Sequence, residues 1–414
     1  MSVAPLADAA YRSQPLPAAP FAFRDLIAPF SPQDFFRNHY RQRHLHVPGT
    51  ADKAERVLSW QVINDLLAMT TIWSDHNCEL AADGVEVPKD AYCYRTTDRN
   101  NEPRLRPDYR RLREQLSQGA TLALNFIERL TPELRALDTS MEMVLQAPAN
   151  ITAFVSWKGA QGYMSHFDTP NVFALQVSGR KVWNVYKGRH PNAAHTEGAR
   201  FGDYPPEHHH RAKGEVLAEI EMKPGDLLYI PHGQYHDALA ADDHSLHLSI
   251  VVRHMLVHDF VKQLVDDLPQ DPFFRQHVPP ADAAGAGDAM RAQTAQHLQQ
   301  VLSQPAIGQG LQDFLKGKAY ENVAEMNLPT LRQPQQFRVR WLGRELSQTD
   351  SGCRITSGAE SVAFEHEEAL LARFCFERDH VTSDMIEALP LSLPTESRAI
   401  FLQQLVRLGL LEPL

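Results

Sequence analysis

Between Asn150 and Arg253 the chain carries six short runs of β-branched and aromatic residues: NITAFVSW, NVFALQV, RKVWNVY, EVLAEIEM, GDLLYI and LHLSIVV. Gly, Pro, Asp and Ser separate them. Runs this short cannot bury their apolar side chains as helices, but they suit a pleated surface with a turn at each end. Six of them close together predict a sandwich or barrel of the jelly-roll kind. Ser178-Gly179, between the second and third runs, reads as a tight hairpin.

The flanks have a different period. From Phe21 to about Leu145 the pattern is mainly helical. Ser31 is the expected cap of SPQDFFRNHYRQRHLHV, and Ser59 that of SWQVINDLLA, where Val62, Ile63, Leu66 and Leu67 share a face. DYRRLREQLSQG reads as a third helix ended by Gly119, with Arg110, Arg111 and Arg113 as a solvated face. After Arg253, HDFVKQLVDDL and the stretch from Ala289 to Leu315 are helical patterns joined by the linker PPADAAGAGD. The last eighty residues start with the extended pieces FRVRWLG and ESVAF, then continue as three helical patterns, an order like that of a winged-helix module.

A chain of 414 residues calls for two or three domains. The net charge of −10 argues against a protein built to grip a phosphate backbone, and is compatible with a basic protein or peptide as partner. Four scattered cysteines give neither a zinc-binding spacing nor a disulfide framework, which fits a reducing, cytoplasmic setting. The Ala- and Pro-rich start lacks the basic-then-apolar order of a signal peptide, and no stretch has the roughly 20 apolar residues of a membrane span.

The chemistry concentrates in GYMSHFDTPNVFALQVSGRKVW and, downstream, KPGDLLYIPHGQYHDAL. His166 and Asp168 stand two apart, so on a strand both would point to one side. The second segment runs turn, strand, turn, and then His236. Two imidazoles and one carboxylate make a facial triad that leaves coordination positions open, as oxygen chemistry at Fe(II) requires. Zn(II) accepts the same donor types, so these alone do not select the metal. Two readings of Lys181 stand open. It can face inward with Trp183 and Val185 and pair with an anion such as the distal carboxylate of 2-oxoglutarate, or outward beside Arg180 as a solvated hairpin residue. His247 and Ser249 alternate with Leu246, Leu248 and Ile250, so they line either the barrel interior or a solvated sheet face. Asn150 and Thr152 are comparable candidates, whereas Trp183 reads as core.

The run SHFDTPNVFALQVSGRKVWNVY, with PGDLLYIPHGQYH downstream, resembles the JmjC-type cupin oxygenases, particularly the ribosomal oxygenase group. The resemblance extends from about Phe21 over nearly the whole chain. It implies an α+β fold: a double-stranded β-helix (jelly-roll, cupin) barrel with N-terminal helices, a helical dimerisation region and a C-terminal winged-helix-like domain. The divisions expected are a flexible arm over residues 1–20, a JmjC/cupin catalytic domain over 21–254, a helical dimerisation domain over 255–335 and a winged-helix-like domain over 336–414. By resemblance, His166, Asp168 and His236 match the iron ligands, and Lys181 matches the basic residue that pairs with the co-substrate. His247, Ser249 and Asn150 are the further co-substrate candidates. Bacterial arginine-hydroxylating members tend to carry Arg at the Lys181 position and histidine-hydroxylating members Lys, so the target side chain stays open.

The implied activity is a homodimeric, Fe(II)- and 2-oxoglutarate-dependent dioxygenase that hydroxylates an amino-acid side chain of a protein, ribosomal proteins included, or of a peptide. Alternatives are the same chemistry on a small molecule or biosynthetic peptide, and a non-catalytic metal-binding scaffold. His208, His209 and His210, with His190 and His195 nearby, lie in the Pro-rich YPPEHHHRAKG; a mobile loop near the substrate entrance is expected rather than a second metal site. The acidic residues of TSDMIEAL argue against direct nucleic-acid binding by the C-terminal module.

Overall fold

The computed structural model describes residues 20–157, 162–195, 197–280, 286–304, 307, 311, 336–340, 344–357 and 360–413. The arm expected over residues 1–20, apart from residue 20, and the end of the Ala289–Leu315 helix lie outside them.

The strands in chain order are β1 (Leu45–Val47), β2 (Cys78–Ala82), β3 (Val85–Glu86), β4 (Cys93–Thr97), β5 (Pro103–Pro107), β6 (Thr121–Leu124), β7 (Ala149–Ser156), β8 (Asn171–Arg189), β9 (Val216–Met222), β10 (Leu227–Ile230) and β11 (Gln234–Val252). All but the β4–β5 hairpin join one nine-stranded sheet in the order β1-β10-β8-β11-β7-β6-β2-β3, with β9 added to β8. The N-terminal region is less helical than its sequence pattern suggests. Helices cover Pro32–Asn38, Trp60–Ala68, Tyr109–Ser117 and Pro132–Leu145, but six strands are threaded among them. Strands of two to five residues are too short to display a period, which is why they are invisible in the sequence. The caps were legible: Ser31 Oγ accepts from Asp34 N, and Ser59 Oγ from Val62 N.

β8 and β11, nineteen residues each, are the spine of the barrel. The first half of β8 pairs with β10 and its second half with β9, while β11 runs antiparallel along both halves. Ser178-Gly179 is therefore not a hairpin, because partners on both sides keep the strand continuous through it. Instead the register slips there: Leu246 faces Ser178 but His247 faces Gln176, leaving Val177 as an extra residue, a β-bulge. Gly179 suits the spot, since its φ is +65° and a Cβ would lie 2.0 Å from the His244 carbonyl oxygen.

The bulge changes which residues face which side. Ahead of it Phe173, Leu175 and Val177 point into the main core, packed against N-terminal residues such as Phe23, Phe35 and Leu137. Val172 and Ala174 point into the barrel lumen. Beyond the bulge the odd-numbered Trp183 and Val185 line the lumen, with Ile220, Met222, Leu228 and Ile230. One inserted residue has exchanged the faces.

The C-terminal residues form a separate cluster with its own core, which includes Phe337, Phe364, Leu371, Phe376, Phe401 and Leu405. Two three-stranded sheets flank helices His366–Phe376, Ser383–Glu387 and Thr395–Arg407. The two strands Arg344–Gln348 and Gly352–Ser357 were not expected from the sequence. No helix among the described residues is long and apolar enough to cross a membrane.

Candidate metal centre and its lumen

His236 lies near the start of β11, and His166 lies in the loop between β7 and β8. The two are joined as an isolated antiparallel bridge: His166 N–H donates to the His236 carbonyl at 3.0 Å, and His236 N–H to the His166 carbonyl at 2.8 Å. Opposed residues of such a pair present side chains to the same face, which sets the ring centroids 4.5 Å apart. His166 and Asp168 thus do not sit on a regular strand, as their spacing suggested. The loop continues irregularly past the bridge, and the Asp168 carbonyl accepts from Gly233 N at 2.7 Å.

The three side chains nevertheless converge. His166, Asp168 and His236 each offer a ligand atom, all within 4.8 Å of one another. Asp168 Oδ2 lies 3.4 Å from His236 Nε2 and 3.9 Å from His166 Nε2. The other ring nitrogens are occupied: Nδ1 of His166 is 2.7 Å from the Met164 carbonyl, and Nδ1 of His236 is 2.9 Å from the Gln234 carbonyl. A carbonyl can only accept, so each Nδ1 carries a proton and each Nε2 is the nitrogen left to face a cation. Burial would raise the Asp168 carboxyl, but the hydrogen bond from His236 and the two imidazoles beside it hold it down at about 2. Burial and the neighbouring His236 lower His166, whereas at His236 burial is outweighed by the Asp168 contact, which raises it. In the metal-free cluster the proton between His236 Nε2 and Asp168 stands where a divalent cation would bind, and metal binding releases it.

Behind it the lumen holds an uncompensated cation. Lys181 is 6% exposed, and its ammonium donates to Ser156 Oγ at 3.2 Å. Among the described residues no carboxylate pairs with it, and burial pushes it down to about 7. The solvated reading of Lys181 is thereby corrected; Arg180 beside it points outward and pairs with Asp242 and Glu221. His247 and Ser249 are buried in the same lumen, so their solvated alternative is also overturned. The His247 ring stacks on Phe154 at 5.1 Å and meets the edge of Trp183 at 5.4 Å. Its Nδ1 and the Trp183 Nε1 are buried without a hydrogen-bond partner among the described residues. Trp183, read from sequence as core, also stacks on His236 at 5.9 Å. Asn150 is spent elsewhere: its amide donates to Glu128 Oε1 at 3.2 Å, and Thr152 donates to Asn125.

Ser156 is the lumen residue that sequence reasoning missed. It ends β7, and only the pairing of β7 with β11 brings it to Lys181. The histidine run is likewise not a mobile loop. His208 to His210 lie in the helix Pro206–Ala212, where the buried His209 ring stacks on Phe201 at 3.8 Å and bonds the Tyr235 hydroxyl. His195 meets Thr169 Oγ1 at 2.6 Å, close enough for its charge to act on Asp168. The donor set and the buried, anion-seeking lysine together fit a divalent metal ion with a carboxylate co-ligand beside it.

Residues 125–260, which carry the long antiparallel strands and this cluster, match the family model described as the JmjC domain. The chain is 24% identical over 358 residues to the Drosophila persimilis bifunctional lysine-specific demethylase and histidyl-hydroxylase NO66, covering 79% of this chain and 47% of that protein. It is 27% identical over 241 residues to Bos taurus ribosomal oxygenase 2, covering 57% of this chain and 48% of the relative. The chain spans less than half the length of these curated relatives. Among solved structures, YcfD, a ribosomal oxygenase from Escherichia coli, superposes with a TM-score of 0.53 at 17% identity, covering 93% of this chain and 98% of that one. The same E. coli protein, in complex with cobalt and 2-oxoglutarate, gives a TM-score of 0.50 at 16% identity over the same shares. At these identities the likeness is one of fold.

Proposed function

We propose that this chain is an Fe(II)- and 2-oxoglutarate-dependent oxygenase that hydroxylates a side chain of a protein, with ribosomal proteins as the leading substrates. The observation that carries the reading is Lys181, a buried lysine without a carboxylate partner among the described residues, in the barrel that carries a three-donor metal cluster. His166, Asp168 and His236 hold the metal. Lys181, assisted by Ser156, holds the distal carboxylate of the co-substrate, and His247 and Ser249 line its path. Asn150, bonded to Glu128, is left outside that set.

Ferrous iron with 2-oxoglutarate supplies oxidative decarboxylation coupled to hydroxylation of an unactivated C–H bond. The chain's own contribution is placement and dryness. The carbonyls of Met164 and Gln234 fix the imidazole tautomers, and Trp183 buttresses the His236 ring. Val172, Ala174, Val185, Ile220, Met222, Leu228 and Ile230 keep water from the anion site and so strengthen the Lys181 contact. The names of the relatives, which join histidyl hydroxylation to ribosomal oxygenation, support a protein substrate.

We assign the catalytic unit to residues 21–254, a dimerisation region to 255–335, of which 281–285 and 312–335 lie outside the described residues, and a winged-helix-like domain to 336–414, in a cytoplasmic homodimer. The exposed valines at 257, 261 and 265, four apart on the helix Val257–Asp267, support a contact with a second copy. The four cysteines are free and buried, as a reducing compartment permits. The test is turnover. With Fe(II), 2-oxoglutarate, oxygen and ribosomal proteins from cells lacking the enzyme, the purified chain forms succinate and adds one oxygen mass to a defined protein. Absence of both products would remove the reading.

A further inference from the structure

The loop carrying His166 joins β11 through a single bridge rather than a ladder of several rungs. Those two backbone hydrogen bonds, with the one from Gly233 N to the Asp168 carbonyl, leave the His166 side of the bridge lightly held for a ring that must meet a metal to within a fraction of an ångström. A second tie lies beside them. Ser165 precedes His166, and Asp237 follows His236. In an antiparallel pair these neighbours fall on the face opposite the imidazoles. There Ser165 Oγ donates to Asp237 Oδ2 at 2.6 Å, Tyr186 OH donates to the same oxygen at 2.5 Å, and Asn184 Nδ2 donates to Oδ1 at 2.9 Å. Lys213, capping the helix Pro206–Ala212, donates to Ser165 Oγ at 3.0 Å and lies 4.6 Å over the Tyr186 ring.

We propose that Asp237, with Ser165, Tyr186 and Lys213, is a positioning clamp that fixes the approach of His166 to His236 and so sets the affinity for the divalent metal. None of the four touches the metal cluster; they act through the two histidines. Asp237 is only 9% exposed, and a carboxylate so placed is retained where its hydrogen bonds are complete, as they are here. Short hydroxyl-to-carboxylate bonds are among the stronger hydrogen bonds and hold direction as well as distance. The clamp also reaches two further elements: Tyr186 and Asn184 belong to β8, and Lys213 receives Gly188 N–H on its carbonyl at 2.8 Å. The ligand loop is thus fastened to β8 and to the helix Pro206–Ala212 as well, where its backbone alone fastens it to β11 and the turn before it.

The inference rests on the metal reading above, and the test separates the two. Cobalt(II) is titrated into metal-free wild-type chain and into Ser165→Ala, Ser165→Thr, Tyr186→Phe and Asp237→Asn, following the visible cobalt bands, with apo melting temperature measured alongside. Ser165→Ala and Asp237→Asn should bind cobalt about 10–100-fold more weakly, the range for lost supports of metal-ligating histidines. Tyr186→Phe, which removes one bond of three, should lose less, and Ser165→Thr, which keeps the hydroxyl, should bind nearly as wild type. Unchanged cobalt affinity in Ser165→Ala, or a lowered melting temperature as the sole effect, overturns the clamp. If Asp237→Asn does not fold, the two Ser165 variants decide the matter. A wild-type chain that takes up no cobalt overturns the metal reading, and the clamp with it.

Discussion

The ammonium of Lys181 lies 3.2 Å from the hydroxyl of Ser156, both buried in the barrel that carries His166, Asp168 and His236. A neutral hydroxyl cannot offset a buried positive charge, so the pair is poised for a third, anionic member.

That arrangement makes co-substrate binding pH-dependent. Burial pushes Lys181 down to about 7, and a bound carboxylate raises it again. Above pH 7 binding must therefore take up a proton. Affinity for 2-oxoglutarate should be full below about pH 7 and fall as pH rises towards 9, by up to about tenfold per unit. Calorimetry at pH 8 in two buffers of different ionisation heat should show that proton uptake; a flat affinity from pH 7 to 9 would place the anchor elsewhere. The sign for folding is the opposite. Between pH 7 and about 10.5 the unfolded lysine holds more protons than the folded one, so the Lys181 contribution to apo stability improves with rising pH.

Replacing Lys181 with Met keeps the volume and removes the charge. The apo chain should become more stable, on the order of 1 kcal/mol near neutral pH, because a buried ionisable group is replaced by an apolar one. The concentration of 2-oxoglutarate needed should rise by roughly 2–5 kcal/mol equivalent, with cobalt affinity little changed. Denaturant titration and co-substrate dependence read the two effects separately. A variant destabilised in the apo state would show that Lys181 serves the fold.

Asp168→Ala should leave a soluble, folded chain that has lost metal-dependent turnover. Its carboxylate keeps 36% of its side-chain surface open, and Asp168 is not among the residues of the hydrophobic cores. Metal content after dialysis and succinate formation are the measurements, and turnover at the wild-type rate would remove Asp168 from the ligand set.

Phe173 lies on the opposite face of β8 from the lumen, fully buried among Phe23, Phe35 and Tyr229. Phe173→Ala should cost about 3–5 kcal/mol in chemical denaturation while leaving the metal affinity of the folded fraction intact. Loss of metal binding without loss of stability would contradict the separation of the two faces.

What the sequence made legible was whatever depends on neighbours in the chain. The Ser31 and Ser59 caps, the strand-rich middle and the helical pattern after Arg253 are local signals. The grouping of His166, Asp168 and His236 was also anticipated, although the local reason offered, a regular strand through His166, was not the one found. Contacts set by tertiary pairing left no local trace. Ser156 meets Lys181 across 25 positions, and Ser165 meets Asp237 across 72. Asn150 stands on the same face of β7 as Ser156, but its amide donates to Glu128 in the preceding connection, a contact that likewise has no local signal. The Ser178-Gly179 hairpin was misread because a glycine at positive φ serves a bend within one strand as well as a turn between two.

The surplus residue at Val177 gives β8 a place where its length can change without reversing the faces beyond it. With that position excised, Gln176 and Ser178 would stand opposite His247 and Leu246 as ordinary neighbours, and Lys181, Trp183 and Val185 would still turn inwards. A residue lost from the regular run that follows, Val182 for instance, would instead swing Trp183 and Val185 out of the barrel and bring Asn184 in.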